Sequence, residues 1–471
     1  MRNCDKNERD DMRVLDAAFC AWMAWGDFRK RRARSKDFTY GRQWGDVVTD
    51  ELGRRVTERE LANKCGKEPM TNNLIRQLVK CVVGRFRHSI AEEKNVAGEA
   101  YWHNCVDEID SRALEEFLIS GCCVQRVEWD EDDGCGVRVD NVNVNRFFSN
   151  VIEDARGWDC EIVGCLHDVR LGQLIMRLAD GDVATARRIK KVYSGLGAVY
   201  DSAAVGQDAE AGRDFWYARG GKCRAIEVWT LELEEVLRCH DYENAQCRVL
   251  PISRRAELER DNARRREEGR AEVCLEWRVE KVWHCRWFAP DGTLLRHYIS
   301  PYAHGSHPFV VKMYPLTDGE IHSMVEDVID QQKYVNRLIT IIDHIMNASA
   351  KGVLLFPEGS LPEGFTWKDV RRLWSNSDSI IPYVPDEGGA VPQQVVSKNT
   401  DIGAYELLSM QMRLIEEISG VTSVLRGQGS GGNSGVKLYE KQVENADVSL
   451  ADIYETFASF RRQRDEKARR L

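Results

Sequence analysis

The sequence predicts an α+β protein whose last third holds two long helices separated by a small mixed insertion. Three observations carry this. The first two thirds interleave helical periodicities with β-rich runs joined by Asp-Gly turns. After Tyr314, apolar residues fall on one helical stripe over about thirty residues. A proline-rich stretch then intervenes before a second helical pattern resumes.

Composition bounds the answer. The chain has 471 residues, enough for two or three ordinary domains, and is 43% hydrophobic and 30% charged, a globular balance. The net charge of −9 gives no global basic field, so a role with DNA would have to avoid gripping it. The 15 cysteines form no Cys-x-x-Cys pair, and Cys122 and Cys123 are adjacent, a pattern of reduced thiols used as small hydrophobes. Cys160, Cys165 and His167 lack a second ligand pair at zinc spacing and read as a buried strand, so no metal or other cofactor is expected. The apolar stretch 14–25 is short and broken by Asp16, and no window reaches membrane-span length, so neither a targeting segment nor a membrane partner is expected.

Helical patterns cover residues 15–30, 72–87 and 111–118. Strand patterns at 123–129 and 136–144 flank Asp130-Glu131-Asp132-Asp133-Gly134, which reads as a hairpin turn; its glycine comes one place too early for a calcium loop. Residues 253–270 interleave seven arginines with glutamates and read as a solvated helix laced with i,i+4 ion pairs. Strands at 279–288 and 294–299 follow, joined by Asp291-Gly292. His304-Gly305-Ser306-His307 lies in a turn between strands.

Thr317-Asp318-Gly319-Glu320 has the spacing of a capping box, which predicts a helix start there. The stripe behind it includes Ile321, Val328, Val335, Leu338 and Ile342, and Lys351-Gly352 supplies a basic last turn and a stop. Such a helix would run about 45–50 Å, with an acidic polar face that is hard to satisfy in a monomer. Residues 353–400 contain five prolines and a short helix, 367–374, carrying Trp367, Arg371, Arg372 and Trp374. Asp401 opens the second helix, through Tyr405, Leu408, Met412 and Ile415, and Ser419-Gly420 ends it. Arg426-Gly427-Gln428-Gly429-Ser430-Gly431-Gly432-Asn433-Ser434-Gly435 then feeds a helix over 436–460. No Gly-Lys-Ser/Thr follows and no strand precedes, so this glycine-rich stretch reads as a loop that is costly to order, not as a nucleotide site.

In order, these features resemble the portal proteins of tailed bacteriophages. Tyr314-Pro315-Leu316-Thr317-Asp318-Gly319-Glu320, leading to Asp330-Gln331-Gln332 and Asn336, is similar to the start of that family's first stem helix. Ile418-Ser419-Gly420-Val421 and the glycine-rich stretch resemble its tunnel loop. Tyr40-Gly41-Arg42-Gln43-Trp44 and Thr71-Asn72-Asn73 are similar to its opening wing segment, and residues 142–164, with Phe147, Asp154 and Asp159, to a later strand pair.

The resemblance implies a portal fold: an α/β wing (1–316), a first stem helix (317–352), a clip (353–400), a second stem helix (401–419), a tunnel loop (420–435) and a short helical C-terminal region (436–471) that returns to the wing and ends in a short crown. It implies a homo-oligomeric ring, a dodecamer, at one capsid vertex of the virion, assembled in the host cytoplasm. Double-stranded DNA would pass through its channel during packaging and ejection. On this reading Val328, Val335, Leu338 and Ile342 pack subunits, and residues 426–435 face DNA. Trp367, Arg371, Arg372 and Trp374 meet the large terminase subunit and then the head–tail adaptor and tail proteins; the major capsid protein surrounds the ring. No catalytic residue is expected, since His-Glu-x-x-His, Gly-x-Ser-x-Gly and Walker sequences are missing. The alternatives are another structural ring such as a head–tail adaptor, which is commonly much smaller, and a DNA-processing enzyme.

Overall fold

The computed structural model describes residues 2–64, 67–90, 99–130, 136–196, 207–218, 221–244, 246–351, 353–375, 380–385, 391–395, 403–422, 425 and 448–471. It is mixed helix and sheet, as the sequence predicts. The chain divides into two units: 1–36 with 78–327 and 423–471, and 37–77 with 328–422. Residues 37–77, which fall within the expected 1–316 segment, therefore group with the long helices.

The first unit is built on antiparallel sheets. The larger runs in the order Leu294–Ile299, Cys274–Phe288, Cys223–Asp241, Ile162–Val169, Phe147–Ser149, and Gln246–Pro251 pairs with the far end of Cys223–Asp241. In that long strand, Ala225 to Trp229 are buried on both faces, the middle opens to solvent at Leu233 and Glu235, and Val236, Leu237 and Cys239 are buried again. The smaller sheet pairs Phe309–Met313 and Val137–Asn141 with Cys122–Trp129, and the hairpin register Gln125↔Asn141 to Trp129↔Val137 agrees with the predicted strands. Residues 131–135 of its turn lie outside the described residues. Gly164 is required where these layers close, because a Cβ there would stand 2.3 Å from the Phe148 ring.

The predicted helix over 15–30 is two helices, Arg2–Ala24 and Gly26–Thr39. Trp25 breaks it by turning inward. Its indole N–H donates to the Ser149 carbonyl at 3.0 Å, and its ring packs edge-on to Phe28 and Phe147. The helix predicted over 111–118 runs Val106–Ser120 and stops at Gly121, in the left-handed conformation that favours glycine. The charge-dense helix is Arg255–Glu267, with no buried residue and the expected Arg255–Glu259 pair at 2.8 Å.

The capping-box expectation at Thr317 is corrected. Pro315–Thr317 pairs with Glu320–Ile321, and Leu316, Asp318 and Gly319 all take positive φ, so this segment turns back as a hairpin. Asp-Gly chemistry wins over the Thr-x-x-Glu spacing, and Ile321 joins the sheet core. The helix Met324–Lys351 starts behind Ser323, whose hydroxyl accepts the Glu326 amide at 3.0 Å. Its 28 residues span about 42 Å.

In the second unit this helix leads to an insertion in which Val353–Leu355 pairs antiparallel with Gln393–Val395 and Trp367–Ser375 is helical. Ala404–Ser419 follows and stops at Gly420, again at positive φ. The glycine-rich residues 426–435 and the start of the expected 436–460 helix lie outside the described residues. The C-terminal helix is seen as Ala451–Arg469.

Candidate functional site

The Met324–Lys351 helix buries both its apolar stripe and part of its polar face. Val328, Val335 and Leu338 are buried within the single chain, and Ile342 is half-buried. Gln332, Asn336 and Thr340 are buried as well. The Gln332 carboxamide donates to the Asn72 carbonyl at 2.7 Å and accepts the Leu74 amide at 3.0 Å. Asn336 donates to the Gln43 carboxamide at 2.6 Å and accepts the Asn72 amide at 3.0 Å, and Thr340 accepts the Met70 amide at 3.1 Å. One turn round, Lys333 lies 2.7 Å from both Asp46 and Glu58, and Arg337 lies 3.0 Å from Glu58. This part of the polar face is thus satisfied inside the chain. The motifs at 40–44 and 71–73 join that at 330–336 in one hydrogen-bonded clamp, a link invisible in sequence because its bonded residues lie 258 to 293 positions apart.

The face left open belongs to the second long helix. Of the expected stripe, Leu408 is half-buried and Ile415 fully buried but Tyr405 and Met412 are exposed, and Leu407, Met410, Leu414 and Ile418 form an i, i+3, i+7, i+11 stripe on another side. Met410 is 53% and Ile418 44% exposed. On the insertion, Trp367 is 49% exposed and packs edge-on against Phe356, Arg371 and Arg372 are exposed, and Trp374 is half-buried. Thr366 begins that short helix by donating its hydroxyl to Asp369 at 2.6 Å.

After the glycine-rich stretch, the C-terminal helix is fastened to the sheet unit. Its basic run is not a solvated tail. Arg461 and Arg464 bind the fully buried Asp110, the former at 3.0 Å, and Lys467 donates to the carbonyls of His307 and Phe309 at 2.6 and 2.8 Å. Phe457 packs on Phe86 and Phe117. Deeper in the sheets, Glu227 takes Arg126 at 2.6 Å, His167 at 2.7 Å and the Trp229 indole at 2.8 Å. Burial opposes its ionisation, yet Arg126 and the His167 hydrogen bond hold its carboxyl well below the usual range. All three partners are protein groups, so this reads as a structural network. Among the described residues no group of three or more His, Cys, Asp or Glu could hold a metal, and no helix is long and apolar enough to cross a membrane.

The phage P22-like portal protein family model matches residues 103–468. The chain belongs to that portal family. The match covers well over half of the chain and takes in both sheets, the helix–insertion–helix segment, the glycine-rich stretch and the C-terminal helix. Membership marks a structural phage portal component, a class distinct from enzymes. The clamp motifs at 40–44 and 71–73 lie ahead of the matched span. No curated protein matches the chain.

Proposed function

We propose that this portal-family chain is the subunit of a homododecameric ring at one capsid vertex, through which double-stranded DNA enters during packaging and leaves at ejection. The observation that carries the reading is the single family match running over 103–468. The physical features fit it. Two long helices joined by a small insertion lead into a stretch with five glycines, after which the chain is pinned back onto the sheet unit by Asp110. Subunits pack through the open stripe of Leu407, Met410, Leu414 and Ile418. Residues 426–435 face the DNA. Trp367, Arg371, Arg372 and Trp374 meet the large terminase subunit and later the adaptor and tail proteins, and the major capsid protein encloses the ring.

The electrostatics suit a conduit. Twelve copies at −9 each carry roughly −100, which disfavours a tight hold on DNA. Retention on DNA is driven by counterion release at Lys and Arg contacts, and within 426–437 only Arg426 and Lys437 are cationic. Weak, uniform phosphate contacts also carry no sequence information, as passage of a whole genome requires. Placing Lys at Gln428, Ser430 and Asn433 should make passage salt-dependent and slow packaging and ejection. Packaged DNA length and ejection efficiency equal to the unaltered ring at every salt concentration would remove this loop from the channel.

A further inference from the structure

The ring reading leaves a cleft in the sheet unit without a role. It is walled by residues 152–160, 304–316 and the end of the C-terminal helix, and encloses about 320 Å³, inside the size range of sites that take a small ligand or side chains of a partner. Val311 and Leu316, both partly exposed, give it apolar surface, with Phe309 and Met313 buried behind them. Its cations differ in kind. Arg156 is bound to Asp154 at 2.9 Å and lies 3.7 Å over the Trp158 ring; Arg470 is bound to Glu466 at 2.5 Å. Both are neutralised. Lys467 has two backbone carbonyls and, among the described residues, no carboxylate within ion-pair reach.

The histidines add donors and no compensating charge. The Ser306 amide donates to His304 Nδ1 at 3.1 Å and the Phe309 amide to His307 Nδ1 at 3.2 Å, which leaves the proton of each neutral ring on Nε2. The His304 Nε2–H has no acceptor among the described atoms. The cleft therefore offers an excess of donors, among them one amine with no carboxylate beside it among the described residues, next to apolar surface. That combination suits a carboxylate on an apolar stem better than a strongly hydrated phosphate. At the wall, Trp158 is 72% exposed with an arginine on its face, the pair of residue types that anchors protein contacts.

We propose that this cleft docks an acidic peptide segment of a partner protein, setting one carboxylate against Lys467 and an apolar neighbour over Val311 and Leu316. Docking should carry a proton with it. Burial pushes the Lys467 amine down to about 7, so at pH 8 it is largely neutral, and an arriving carboxylate favours the ammonium. The other groups facing it are Asp154, Arg156 and Cys160 from one wall, His304 and His307 from the second, and Glu466 and Arg470 from the helix. Burial lifts the Cys160 thiol to about 12 and lowers His304 to about 4, so neither titrates near pH 8.

The test is calorimetry on the full chain at pH 8, in phosphate and in Tris, with the blocked peptide Leu-Glu-Leu-Glu-Leu and its Gln counterpart. The proposal expects saturable binding of the Glu peptide, about tenfold weaker binding of the Gln peptide, and buffer-dependent heats equivalent to roughly one proton taken up. Lys467→Met should weaken binding by about tenfold. Because that change also removes two hydrogen bonds from the helix end, proton uptake is read on the unaltered chain, and the surface variant Trp158→Ala should weaken binding about threefold or more with the fold intact. No saturable binding, equal affinity for both peptides, or heats independent of buffer would overturn it. So would acetate binding as tightly as the Glu peptide, which would mark a small-anion pocket.

Discussion

Replacing Asp110 by Ala should loosen the C-terminal helix while leaving the sheets folded. Asp110 sits fully buried in the Val106–Ser120 helix, where one oxygen takes Arg464 and the Gln125 carboxamide at 3.1 Å, and the other takes Arg461 at 3.0 Å. Arg464 is itself only 3% exposed, so alanine would strand a buried guanidinium. Breaking one side of a buried pair costs about 3–5 kcal/mol. Asp465, 2.8 Å from Arg464 and partly exposed, retains some compensation and places the cost near the lower end. About 3 kcal/mol corresponds to roughly a hundredfold rise in the population of the undocked helix. Native-state hydrogen exchange at the amides of Ala451–Arg469 reads this directly. The comparison is Glu466→Gln on the same helix, which breaks the exposed pair with Arg470, a kind of contact worth about 0–1 kcal/mol. If the two variants exchange alike, Asp110 is not the anchor and the energetic reasoning fails.

Two further outcomes separate folding from assembly. Leu338→Ala should destabilise the chain by about 2–5 kcal/mol in denaturant unfolding, because Leu338 is buried within its own subunit. Met410→Asp should leave the monomer folded by circular dichroism yet stop it sedimenting as a ring, because Met410 lies on the open stripe. Arg371→Ala with Arg372→Ala should lower terminase docking in a pull-down while rings still form, since both arginines are exposed and the 3.4 Å pair of Arg372 with Asp369 lies at the surface.

Much of the architecture was legible in the sequence because the signals are local. The strand runs around 123–144, the Asp291-Gly292 turn and the apolar stripe of the Met324–Lys351 helix each announce themselves within a few residues of where they act. Errors arose where a local signal met a competing one. The Thr317 spacing gave way to an Asp-Gly turn, and the 15–30 periodicity ran through Trp25, whose inward turn depends on Ser149 far along the chain. The Cys223–Asp241 strand carries no such local signal, because Glu232, Glu234 and Glu235 mask its alternation and its pairing with Cys274–Phe288 is long-range. The candidate site was less legible than the fold. Apolar periodicity marked Val328, Val335 and Leu338 as buried, but could not say that 37–77 and the rest of their own unit would satisfy that helix, which moves the open face to Met410 and Ile418. Nor could a basic run at 461–470 reveal that Arg461, Arg464 and Lys467 are anchors.

The most direct test of the account is electron microscopy of the purified chain, with class averages viewed down the particle axis. The account predicts closed rings of twelve subunits around a central channel wide enough for a DNA duplex, lost on Met410→Asp. Particles that remain monomeric at every concentration, or rings with no open channel, would contradict it.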